Sequence, residues 1–144
     1  MEQLIKLLDE NLNYESHELI ANTFYIKVHS NKKNTKCTYC GKTSSSIHSM
    51  YQRSFQDLPI QGKKVVIILK NKKMFCRNSK CLHTTFAESF DFLRYKAKKS
   101  KRLEEEILKI ALNCSSLTTS KILSKTVVSI GKSTVCRLFK KKNQ

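Results

Sequence analysis

CTYCG at residues 37–41 and CRNSKC at residues 76–81 decide how the rest of this chain is read. Cys37 and Cys40 form a C-x2-C pair, Cys76 and Cys81 a C-x4-C pair, and thirty-five residues separate the two. Four thiolates satisfy tetrahedral zinc, and each pair is short enough to sit in a tight knuckle. Gly41, directly after Cys40, lets the backbone turn without a Cβ clash while amides approach the sulfurs. The long insert holds Val65 to Leu69, so a strand can carry the chain out and back, which is the layout of a zinc ribbon. His48 and His83 are near enough in sequence to compete for the fourth position in a Cys3His set. A thiol redox role for Cys37 and Cys40 lacks the strand-to-helix context that lowers a thiol pKa. Cys114 and Cys136 stand alone on apolar helix faces and read as small buried hydrophobes.

The chain has 144 residues, so it buries one modest core or two small ones, and units of that size commonly need a metal or disulfide staple. No run approaches the roughly 18 apolar residues of a membrane span, and no basic start followed by an apolar segment marks secretion. A cytoplasmic location follows as the expectation, and in a reducing compartment zinc is favoured over disulfides for the six cysteines. If zinc is structural, its binding supplies on the order of 10 kcal/mol of folding free energy.

Outward from the cysteines, apolar residues at Leu4, Ile5, Leu7, Leu8 and Leu12 predict a short helix that ends in the polar run 11–16. Residues 19–29, with Ile20, Phe24, Tyr25, Ile26 and Val28, predict a strand. Residues 65–69 predict another, entered through a turn at 59–62. After Arg94 a basic link leads into helical periodicity. Leu103, Ile107, Ile110, Ala111 and Cys114 form one stripe, and Glu104, Glu105 and Glu106 sit in the first turn, opposing the helix dipole. Ser115 and Ser116 offer a stop and a new N-cap for a second helix to about Thr126, and a third fits residues 132–142. The fold class expected is therefore α+β: a small zinc-ribbon-like β unit followed by a three-helix helix-turn-helix unit. Its divisions are 1–30 (helix and strand), 31–92 (zinc-binding β domain) and 93–144 (basic linker and helical domain).

Charge points to a polyanionic partner. Lys and Arg number 28 against 11 Asp and Glu, a net charge of +17. The imbalance is uneven: residues 1–30 sum to −3, 31–91 to +9 and 92–144 to +11. On the third helix, Lys132, Ser133, Thr134, Arg137, Lys140 and Lys141 face outward when Val135, Leu138 and Phe139 face inward. Ser133 and Thr134 suit a phosphate at the helix start, and Arg137, one turn deeper, suits a bidentate contact to guanine. Lys98, Lys99, Lys101 and Arg102 read as a backbone clamp or flexible arm that sets affinity without reading sequence. Double-stranded DNA is the partner expected, with a stand-alone zinc-ribbon regulator or RNA-binding protein as the alternative.

The string CTYCGKTSSSIHSMYQRSFQDLP, followed by a β segment and KKMFCRNSKCLHTTFAE, resembles the N-terminal zinc-finger region of ISL3-family insertion-sequence transposases over roughly residues 35–90. Its most specific elements are CxxCG, the Asp57-Leu58-Pro59 step with Gly62 after it, and the stretch 75–86. The resemblance implies recognition of transposon terminal inverted repeats, with a helix-turn-helix after the zinc unit and homo-oligomer or full-length transposase partners near the bacterial nucleoid. It also implies a separate RNase-H-like catalytic domain, for which this chain has no room. Asp57, Asp91 and Glu104 to Glu106 form no two-metal set. The expectation is a truncated, DNA-binding portion without catalysis, and Thr38 departs from the proline frequent at that position in the family.

Overall fold

The run VVIIL at 65–69 lies at the centre of a mixed β-sheet in the computed structural model, which describes residues 1–113, 116–125 and 134–138. A first helix, α1 (Glu2–Leu8), leads into β1 (Leu12–Ile20) and β2 (Thr23–Ser30), an antiparallel hairpin paired from Leu12 opposite Ser30 to Ile20 opposite Thr23. Its turn is Ala21 and Asn22, both at positive φ (47° and 66°). That is the two-residue geometry whose twist matches a hairpin. The polar run 11–16, read from sequence as a helix end, belongs largely to β1. The single strand expected over 19–29 contains the turn. The Ala-Asn pair lacks the glycine that normally signals such a turn, so composition hides it.

A two-stranded ribbon, β3 (Thr35–Lys36) with β4 (Thr43–Ser44), precedes two long strands, β5 (Ile47–Ile60) and β6 (Lys63–Phe75), and a short β7 (Thr85–Ala87). Gln61 (φ 49°) and Gly62 (φ 72°) close the β5–β6 hairpin, so the turn sits at the end of the expected 59–62 span. The ladder slips between Asp57 and Ile60, next to Pro59, a residue with no N–H to donate. The sheet order is β1-β2-β6-β5, with β7 also on β6. β2 runs parallel to β6, from Thr23 opposite Lys64 to His29 opposite Lys70. Residues 1–30 thereby share a sheet with the cysteine-bearing stretch.

Alternation along β6 places Val65, Ile67 and Leu69 on the buried face with Ile26, Val28 and Phe55. Ile5, Leu12, Phe90, Phe92 and Leu93 cover that face. Phe92 packs between Phe55 and Phe90, with ring centroids 5.7 and 5.1 Å away. Ile67 and Leu69 are completely buried, and truncating either to alanine costs about 2–5 kcal/mol.

The fold class expected from sequence is corrected here. Strands dominate, and the remaining helices are short: α2 (Lys101–Ala111), α3 (Ser116–Lys125) and five helical residues at 134–138. No three-helix helix-turn-helix unit stands as a separate body among the described residues. The stripe Leu103, Ile107 and Ala111 packs on Val135 and Leu138, and also on Leu58 of β5. The amphipathic periodicity was real, but part of the face it predicts rests on the sheet hairpin. The basic link is likewise no flexible arm. Gln56 N donates to Lys98 O at 2.8 Å, Ser100 N to Gln56 O at 2.9 Å, and Lys101 N to Phe92 O at 2.8 Å.

Candidate metal centre and basic surfaces

Backbone turns bring the four cysteines together. In the first knuckle, between β3 and β4, Cys37 N donates to Lys42 O at 2.9 Å, Gly41 N to Cys37 O at 2.9 Å, and Tyr39 N to Cys37 Sγ at 3.4 Å. Gly41 holds φ 78°, a left-handed conformation that glycine adopts at little cost. The second knuckle leaves the end of β6. Cys81 N donates to Asn78 O at 3.0 Å, Lys80 N to Asn78 Oδ1 at 3.1 Å, and Cys76 N to Thr84 O at 2.8 Å. The knuckles are tied by Phe75 N donating to Ser46 O at 2.8 Å and by the Ser44 hydroxyl donating to Phe75 O. Cys37, Met74 and Phe86 form a small core beneath them.

The ligand atoms of Cys37, Cys40, Cys76 and Cys81 all lie within 4.8 Å of one another, and Cys40 Sγ is 3.6 Å from Cys76 Sγ. Tetrahedral zinc with bonds of about 2.3 Å requires sulfur separations of about 3.8 Å, so the set fits. The sulfurs also divide electrostatically. The Lys42 amide, then the Asn78 side chain, draws the Cys40 thiol down to about 6. The Asn78 amide pulls on Cys76 in the same sense, but desolvation and hydrogen bonds from the other cysteines outweigh it and push Cys76 up to about 12. A divalent cation removes that conflict by stabilising all four thiolates together. Cys37, Cys40, Cys76 and Cys81 constitute a structural zinc site, and the metal's contribution is to cross-link the two knuckles.

Neither histidine joins the set. His83 stacks on Tyr39, with ring centroids 3.5 Å apart and planes 14° apart, and His48 meets Phe75 edge-on at 4.9 Å. Both rings are exposed. Cys136 is half-buried, and Cys114 lies outside the described residues.

The basic residues expected to contact DNA divide sharply. Lys132, Ser133, Lys140 and Lys141 lie outside the described residues. Thr134 is half-buried and Arg137 exposed on the helical segment 134–138. Lys98 is exposed, and Lys99 and Lys101 are partly covered. Burial, opposed by Glu104 but reinforced by Lys64 and Arg137, pulls the Lys99 ammonium below the ordinary lysine range. Lys64, at the start of β6, was not singled out in the sequence; thirty-four residues separate it from Lys99, and only the fold brings them together. Arg102 is not a free cation. Its guanidinium donates to both oxygens of Asp57, which is 4% exposed and also accepts from the Ser100 hydroxyl at 2.7 Å.

Among the described residues no helix is long and apolar enough to cross a membrane. No curated protein and no solved structure matches the chain. Residues 33–81, about a third of the chain, match the family described as the zinc-finger of transposase IS204/IS1001/IS1096/IS1165, a span that contains both knuckles and the β5–β6 hairpin between them.

Proposed function

We propose that this chain is a DNA-recognition module of a transposase, reading the terminal repeats of a mobile element without performing strand cleavage itself. One observation carries the reading: across residues 31–87 every Asp, Glu, Lys and Arg is a cation except Asp57, and Asp57 is buried against Arg102. The zinc unit and its hairpin therefore present positive charge with no exposed carboxylate of their own, although Glu15 of β1 reaches Lys70 at 3.9 Å, and this excess suits a phosphate backbone. Lys99 supports the same reading: it is a partly buried cation, attracted by Glu104 and repelled by Lys64 and Arg137, and a polyanion would stabilise its charge. The zinc-finger match to transposases supports the choice of DNA. Two acids beside the basic link are engaged structurally: Asp57 with Arg102 and Ser100, and Glu104 with Arg94 at 3.3 Å.

Fluorescence anisotropy with inverted-repeat and scrambled duplexes, over a salt series, tests the proposal. A preference above about tenfold for the repeat, with affinity falling steeply as salt rises, is the expected outcome. Equal affinity for the two duplexes defeats the terminal-repeat reading, and salt-independent or absent binding defeats the DNA reading altogether.

A further inference from the structure

At the outer end of the zinc unit, Tyr39 from the first knuckle and His83 from just after the second form a parallel stack 3.5 Å apart. Tyr39 is 58% exposed and His83 is exposed, so burial in the core does not account for the pair. Lys36, Lys42 and Lys80, all exposed, are carried on the same two knuckles. Arg77 is held in place by donating to the Ser46 hydroxyl at 3.2 Å, with its guanidinium carbon 4.7 Å from the Phe75 ring centroid. The side chain of Leu82, beside His83, is 99% exposed.

We infer that this tip is a second nucleic-acid contact, in which the Tyr39–His83 stack receives an unpaired nucleobase of single-stranded DNA and the knuckle cations hold the flanking phosphates. Ring faces bind bases only when those faces are free, and in duplex DNA they are already stacked on neighbours. An aromatic platform within a cationic surface is thus matched to a frayed or single-stranded segment, and it tolerates any base because every base has a π-face. The zinc site supplies the rigidity. The two rings come from different knuckles, and the metal cross-link holds their separation. The inference rests on the nucleic-acid reading above but uses residues distinct from Lys64, Lys99 and Arg137.

The test compares binding of the zinc-loaded full chain to a blunt duplex, the same duplex with a short unpaired extension, and the extension strand alone. Wild type is expected to favour the extended over the blunt duplex by about tenfold, the size typical of one stacked base. Tyr39→Ala should abolish that preference without changing blunt-duplex affinity, and Tyr39→Phe, which keeps the ring, should retain it. One equivalent of zinc released on thiol titration of each variant shows that the knuckles are intact. Equal wild-type affinity for blunt and extended duplexes overturns the inference, as does a Tyr39→Ala variant with full zinc and an unchanged preference. Loss of blunt-duplex binding together with retained, Tyr39-dependent binding of the single strand instead defeats the function proposed above and leaves this contact standing.

Discussion

Arg102 donates through Nε to Asp57 Oδ1 at 2.8 Å, joining the start of α2 to β5 across forty-five residues of sequence. The same carboxylate accepts from the Ser100 hydroxyl, and Ser100 Oγ in turn caps α2 by accepting from Leu103 N at 3.3 Å. One buried acid thus fixes the linker, the helix cap and the hairpin together. Arg102, assigned from sequence to a DNA-binding arm, is committed to this junction.

Replacing Asp57 with alanine leaves the Ser100 hydroxyl and the Arg102 guanidinium without their acceptor. A loss of about 2–4 kcal/mol is expected, the cost of breaking charge-assisted hydrogen bonds at a mostly buried pair. Chemical denaturation measures it. Zinc stoichiometry should stay at one per chain, because Asp57 lies on the far part of the hairpin from the knuckles.

Glu88 is 2% exposed, and burial raises its carboxyl pKa despite the Ser30 hydroxyl at 2.9 Å and the nearby Lys72 and Lys32. A raised folded pKa means that the folded state holds its proton more tightly than the unfolded chain. Stability from this group is therefore greatest below the ordinary value of 4.5 and is lost as pH rises through the folded pKa. Glu88→Gln removes the titration. The wild-type minus variant difference in unfolding free energy should decline as pH rises from 4.5 through the folded pKa and then level off, and taking the difference cancels the pH dependence of zinc binding. A flat difference would count against the buried-acid assignment.

Zinc removal should act locally. The knuckles rest on the small core of Cys37, Met74 and Phe86, whereas the main sheet core of Ile26, Val28, Ile67 and Leu69 is a separate cluster. Chelation is expected to accelerate amide exchange sharply within residues 35–46 and 74–87 while leaving the β1–β2 and β2–β6 pairings protected. Uniform acceleration across the sheet would show instead that the metal supports the whole domain.

Lys99→Met should separate binding from stability. Removing a partly buried cation crowded by Lys64 and Arg137 is expected to raise the melting temperature modestly, while DNA affinity falls and the salt slope drops by about one. Arg137→Ala should relax sequence preference as well as affinity. A variant at Lys99 with unchanged DNA binding would remove it from the interface.

Local patterns carried much of this protein. Two cysteine pairs with Gly41 identify the zinc site because knuckle geometry is determined within a few residues, and VVIIL identifies β6 because a continuous apolar β-branched run suits a strand covered on one face and half-covered on the other. The stripe of Leu103, Ile107 and Ala111 likewise reports α2. Three-dimensional pairing decided the rest. Parallel pairing of β2 with β6 links residues some forty apart, and no local pattern encodes it. A charge count could not tell that Arg102 is ion-paired while Lys98 is exposed, since the difference depends on where Asp57 lies. Nor could it place Tyr39 against His83 rather than His83 on zinc. Ligand chemistry and periodicity are short-range properties that a sequence displays directly. The partner of a charge or of a ring depends on which distant segments share a sheet, and only the tertiary fold sets that.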